Sequence, residues 1–259
     1  MVLSSLLISY RPASSMKAMK RVWILLLALT IQTVAQQQCY FCNSQNSVRQ
    51  VKFGKESHYV CYDCRNKPQT CDLCHRQVQS PELLQDGRMV CARCKAVAVL
   101  RQDQLEGIYD RVKGFLRTEG LLVPNPPPVK IADKDEIQTK FTRSGRSMDV
   151  AGFYSPYNPE EIFILSGQSA EECASTMAHE YTHAWQSRNC PSQDRAVSEG
   201  FASWVQYHYL VSAGRQREAQ SLTRKTDPDY GASLVKLLEM EKKVGKKGVI
   251  EFAKTATSF

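Results

Sequence analysis

His179-Glu180-Tyr181-Thr182-His183 is an H-E-x-x-H pattern. On a helix the i, i+4 spacing turns both imidazoles to one face, where they can chelate one cation. Glu180, beside the first histidine, is placed to act as general base. Sixteen residues after His183, Ser198-Glu199-Gly200 opens a further helical stretch that can return antiparallel to the first, making Glu199 the expected third ligand. Three protein ligands leave one coordination position open, which separates a catalytic zinc site from a closed structural one. The chemistry to expect is peptide-bond hydrolysis by a metal-bound water that Glu180 deprotonates, with the proton returned to the leaving amine. Tyr207, His208 and Tyr230 are candidate donors to the tetrahedral oxyanion, and Ser203 could orient His179 from one turn beyond Glu199. The bland alternative makes His179 and His183 ordinary helix residues and Glu199 a solvated carboxylate favoured by a helix start.

A second group of chemistry-bearing residues lies upstream. Eight of the ten cysteines fall in four equal pairs, Cys39-x-x-Cys42, Cys61-x-x-Cys64, Cys71-x-x-Cys74 and Cys91-x-x-Cys94. The economical reading is two structural zinc sites, one on Cys39, Cys42, Cys61 and Cys64 and one on Cys71, Cys74, Cys91 and Cys94. His58 could replace Cys64 in the first set, whereas His75 reads as a solvated neighbour. So short a stretch buries little apolar surface, and bound metal would contribute much of its folding free energy. Disulfides are the competing reading if the thiols meet an oxidising compartment. Cys173 and Cys190 could pair with each other or remain thiols.

The elements that must position these residues follow from periodicity and turn signals. Apolar residues at Val97, Leu100, Leu105, Ile108, Tyr109, Val112, Phe115 and Leu116 predict one long amphipathic helix leaving the cysteine pairs, ended by Gly120 and the proline-rich stretch from Pro124 to Pro128. Runs at 150–154 and 161–165, separated by Ser155-Pro156-Tyr157-Asn158-Pro159, predict an antiparallel hairpin. The second run is expected to be the edge strand that pairs with an extended substrate. Helices are expected from Ser169 to about Ser187, from about Ala196 to Val211, and twice between Tyr230 and Ala256, the first opened by a Ser169–Glu172 capping box. The expected class is α+β: a small cysteine-rich zinc module over 36–95, a connecting helix and proline-rich linker over 96–128, and a mainly helical domain with a short antiparallel sheet over 129–259.

Residues 22–31, VWILLLALTI, follow Lys17, Lys20 and Arg21 and precede Thr33-Val34-Ala35, the pattern of a cleavable export signal over 1–35. Met16 or Met19 would place the cationic flank nearer the start than Met1 does. The apolar run is about half a bilayer span, so no stable membrane span is expected after signal removal. Removing 1–35 takes Arg11, Lys17, Lys20 and Arg21 and no anion, so the formal charge falls from +8 to +4. That excess argues against a nucleic-acid partner. Export to a periplasmic or extracellular compartment is the expectation.

These residues resemble the LIM-linked, DA-one-like zinc metallopeptidases of plant organ-size control and their shorter bacterial relatives. The likeness spans roughly 39–245. It is carried by Cys71-x-x-Cys74 with Gly87-Arg88-Met89-Val90-Cys91-x-x-Cys94, by His179-Glu180-x-x-His183-Ala184-Trp185, by Glu199-Gly200 and by Asp227-Pro228-x-Tyr230-Gly231. The resemblance implies a LIM-like zinc module and a gluzincin-like peptidase domain with zinc on His179, His183 and Glu199 and catalysis by Glu180. An export signal and the lack of a ubiquitin-interacting segment set this sequence apart from the plant members, so only the chemistry carries over. The expected cofactors are one catalytic and two structural Zn2+, and the expected partner is a protein or peptide substrate, with the cysteine-rich part open to a protein partner. The alternative function is a LIM-like interaction protein whose peptidase-like part is an inactive scaffold.

Overall fold

The computed structural model describes residues 37–53, 56–67, 69–78, 81–142 and 150–259. The export signal expected over 1–35 lies outside them. The chain divides into two compact units, Met1–Asn66 and Lys67–Phe259, and its class is α+β.

In the first unit, β1 (Arg49–Phe53) pairs antiparallel with β2 (Glu56–Val60), and a single helical turn, α1 (Tyr62–Asn66), follows Cys61. Its small core is Cys39, Val60 and Cys61, with Phe41, Val48, Val51 and Cys64 packed around them. A core this slight leaves much of the stability to cross-links or metal.

The second unit opens with two ribbons, β3 (Gln69–Thr70) on β4 (Gln77–Val78) and β5 (Glu82–Leu83) on β6 (Met89–Val90), then α2 (Ala92–Val97). Here the structure corrects the expected continuous helix. α2 stops at Val97, Ala98 turns extended to bridge Ser169, and α3 (Gln102–Thr118) starts afresh. Val97 and Leu100, counted as apolar helix positions, are 58% and 38% exposed; the buried stripe is Leu105, Ile108, Tyr109, Val112 and Leu116.

The proline-rich stretch is pinned to this body, with Tyr109 donating to the Pro127 carbonyl and the Val123 N–H donating to Tyr181 Oη. It leads into β7 (Val129–Ala132) and α4 (Lys134–Thr142). The hairpin forms as expected: β8 (Gly152–Ser155) runs antiparallel to β9 (Glu161–Leu165). β7 pairs parallel with the other side of β9, giving the order β7-β9-β8. β9 is therefore the central strand, not the expected free edge. Its run of four apolar residues is what a strand covered on both faces requires: Ile162 and Ile164 enter the main core, while Phe163 packs with Ala132 and Ile137. The edge strand that packs on α5 (Ala170–Asn189) is β8.

α5 and α6 (Arg195–Ser212) pack on each other, α5 also packs on α3, and α8 (Ser233–Thr255), broken at Gly245 into the two helical pieces expected there, covers α6. Two short elements, α7 (Gln216–Thr223) and a π-helical turn (Pro228–Ala232), join α6 to α8. α5 begins as expected, with Ser169 Oγ accepting from the Glu172 N–H and the Glu172 carboxylate accepting from the Ser169 N–H. α6 is capped by Asp194, whose carboxylate accepts from the Val197 N–H. Met177, Tyr181, Phe201, Trp204, Leu234 and Leu237 are almost wholly buried where these helices meet, each worth about 1.5–3 kcal/mol of apolar burial.

Candidate metal centre and its cleft

α5 carries His179, Glu180 and His183, and the first turns of α6 carry Glu199. His179 Nε2 and His183 Nε2 are 3.2 Å apart, and Glu199 Oε2 lies 3.2 Å from the first and 3.4 Å from the second. Ligands about 2.1 Å from a tetrahedral zinc stand about 3.4 Å from one another, so the three atoms fit such an ion. Burial alone would raise the Glu199 carboxyl, but hydrogen bonds with His179 and His183 outweigh it and hold the group well below the usual carboxylate range. The set lies on the wall of a cleft of about 910 Å³.

Glu180 also lines this cleft, and its Oε2 accepts a 2.9 Å hydrogen bond from the Tyr154 N–H of β8. The strand register explains why that N–H is available. Leu165 N–H donates to the Ala151 carbonyl across the β8–β9 pair, and antiparallel alternation then turns the backbone groups of Gly152 and Tyr154 to the outer edge. The Tyr154 side chain locks the strand from the other direction, its hydroxyl meeting Glu160 and Ser187.

Of the three candidate oxyanion donors, only Tyr230 lines the cleft. Its ring stacks on that of His179 at 6.1 Å and 19°, and its hydroxyl accepts from Arg195 Nη2 at 3.4 Å. Arg195, which no motif announced, also reaches Asp229 with Nε at 3.1 Å. Tyr207 and His208 are placed elsewhere. Being eight and nine residues beyond Glu199 on α6, they lie about 12–14 Å along the axis and turn to other faces. His208 bonds Glu241 at 2.8 Å with its ring edge on Trp204, and Tyr207 packs against His208 and the core. Ser203 is buried but makes no bond to His179, whose Nδ1 has no hydrogen-bond partner among the described residues.

Two glycines permit this convergence. A Cβ on Gly200 would stand 2.6 Å from Ser233 Cβ where α6 meets α8, and one on Gly231 would stand 1.9 Å from the Lys225 carbonyl oxygen. The second close approach folds the π-helical turn so that Tyr230 faces His179.

The eight paired cysteines form two four-sulfur sets, Cys39, Cys42, Cys61 and Cys64 in the first unit and Cys71, Cys74, Cys91 and Cys94 in the second. Cys42 and Cys61 sulfurs are 3.6 Å apart, and those of Cys74 and Cys91 3.9 Å. A tetrahedron with zinc–sulfur bonds of about 2.3 Å has edges of about 3.8 Å, so both sets are compatible with zinc. No cysteine is in a disulfide. Burial opposes ionisation of Cys39, yet the N–H groups of Cys61, Cys42 and Phe41 bring its pKa down to about 6. Cys71 falls to about 6 in the same way, against burial, through the N–H groups of Cys74, Cys91 and Leu73. Cys64, not His58, completes the first set; the His58 ring lies 4.3 Å from that of Tyr40. Cys173 and Cys190 are separate thiols, raised to about 12 and about 11 by burial.

Comparisons with family models, characterised proteins and solved structures return no match to this chain.

Proposed function

We propose that the chain is a zinc-dependent peptidase of the H-E-x-x-H…E type, gluzincin-like in its ligand order, with the two cysteine sets as structural zinc sites. The observation that carries this reading is the approach of His179 Nε2, His183 Nε2 and Glu199 Oε2 to within 3.4 Å of one another, in a cleft that Glu180 shares. A zinc ion held by these residues would polarise a scissile carbonyl and acidify a water. The Tyr154 N–H holds one Glu180 oxygen and so aims the carboxylate. Its other oxygen can take a proton from the attacking water and deliver it to the leaving amine. The outward backbone groups of Gly152 on β8 can pair with an extended peptide, which supports a protein or peptide substrate. With the export signal expected over 1–35, that substrate belongs to a periplasmic or extracellular compartment.

The test is Glu180→Gln in the full chain, with metal counted by mass spectrometry and cleavage followed on a peptide library. Three zincs are expected in both proteins, with a rate lower by about 10²- to 10⁴-fold in the variant. Equal rates would remove Glu180 from the mechanism. A wild type that carries all three zincs and cleaves nothing would favour the interaction-protein alternative.

A further inference from the structure

Gln186 lies one helical turn after His183 and is 6% exposed, so its carboxamide answers to protein groups rather than to solvent. Its Nε2 donates to the Ser198 carbonyl and to Gln193 Oε1, both at 3.0 Å, while its Oε1 lies 2.9 Å from His183 Nδ1. A carboxamide has one donating and one accepting end. The Ser198 carbonyl can only accept, so it holds the amino end, and the amide oxygen must face His183. That oxygen carries no hydrogen, so Nδ1 of the His183 ring carries a proton, and in the neutral ring that a metal requires Nε2, the nitrogen facing His179 Nε2 and Glu199 Oε2, is the one left to ligate.

We propose that Gln186 is a positioning residue that fixes the metal-binding tautomer of His183 and ties it to the start of α6, one residue before Glu199. A main-chain carbonyl on α6 thereby selects which nitrogen of a side chain on α5 is free to bind. His179 is not set in this way, since its Nδ1 has no partner among the described residues. The inference rests on the zinc reading above.

The experiment measures third-site zinc affinity by chelator competition, with kcat and KM, for the wild type, Gln186→Met and Gln186→Glu. The zinc on the two cysteine sets reports folding. Gln186→Met keeps length but removes the acceptor, and is expected to weaken the third site by about 10- to 100-fold. Gln186→Glu still accepts from Nδ1 through a charge-assisted hydrogen bond but no longer donates to the Ser198 carbonyl, and is expected to hold zinc more tightly than Gln186→Met, within about tenfold of wild type. Wild-type affinity in Gln186→Met overturns the proposal. So does Gln186→Glu binding as weakly as Gln186→Met, because the acceptor on His183 Nδ1 would then contribute nothing. Should Gln186→Met shed its cysteine-bound zinc, Gln186→Glu decides alone: affinity within about tenfold of wild type supports the role and a greater loss overturns it. A wild type without a third zinc refutes the peptidase reading instead.

Discussion

Tyr230 meets the ligand set with its ring on His179 and its hydroxyl under Arg195. Burial, reinforced by the Glu199 carboxylate, holds its pKa above the usual tyrosine value, so at neutral pH it remains a phenol that can donate. If His179, His183 and Glu199 hold zinc as proposed, a phenol lining the same cleft would gain most from a substrate oxygen as that oxygen acquires charge. Tyr230→Phe keeps the stacked ring and removes only the O–H. The expected outcome is a kcat lower by about 10²-fold with little change in KM and an unchanged count of three zincs. Steady-state kinetics on a cleaved peptide, with metal analysis of the same sample, checks it; an unaltered kcat would leave the ring as the whole of its role.

At the scale of elements, close approach decides where the site residues fall, and the same substitution should act oppositely at two glycines. Gly231→Ala pushes a methyl into the Lys225 main chain, with the carbonyl oxygen at 1.9 Å and its carbon at 2.7 Å. Main chain cannot swing aside as a side chain can, so overpacking of about 1–3 kcal/mol is expected, with Tyr230 displaced and activity reduced. Gly107→Ala, inside α3, meets nothing within 4 Å and should stabilise by about 0.5–1 kcal/mol. Denaturant melts of both variants give the two signs. The elements legible in the sequence were those whose signals are local: the Ser169–Glu172 cap, the i, i+4 histidines, the β8–β9 hairpin. The break at Ala98 was not, because a pairing with Ser169, distant in sequence, overrides a helical apolar pattern. Nor was the edge role of β8, which depends on β7 taking the far side of β9. Gln186 and the Tyr154 N–H left no trace either, since a glutamine on a helix reads as surface and a backbone donor has no letter of its own.

Within the larger unit, the second cysteine set is tied to the base of α5, the helix that carries His179 and His183. Arg88, between Cys74 and Cys91 in the chain, donates from Nη2 to the carbonyl and hydroxyl of Ser166 at 2.7 and 3.0 Å, three residues before the cap of α5. Its Nε donates to Asp86 at 2.8 Å, and Asp86 in turn accepts the Lys134 N–H that opens α4. The Asp86 side chain is 1% exposed. Burial pushes its carboxyl up, but the bonds from Arg88 and Lys134 prevail and hold it below the usual value. A depressed carboxyl stabilises the fold above its unfolded pKa, and that contribution disappears as pH falls through the folded pKa. Arg88→Met strands a buried carboxylate, so a loss of about 3 kcal/mol is expected at neutral pH. Because burial then holds the variant's Asp86 above its unfolded pKa and it can protonate instead, the gap to wild type should start to narrow at a pH above about 4 and go on narrowing below it as the wild-type carboxyl protonates. Thermal melts of both proteins from neutral to acid pH test this. A gap independent of pH would mean that Arg88 acts by packing. Cys94→Ser, which removes one ligand of the zinc expected on Cys71, Cys74, Cys91 and Cys94, should loosen the same brace, lowering the melting temperature of the α5–α6 body while His179, His183 and Glu199 are left unaltered.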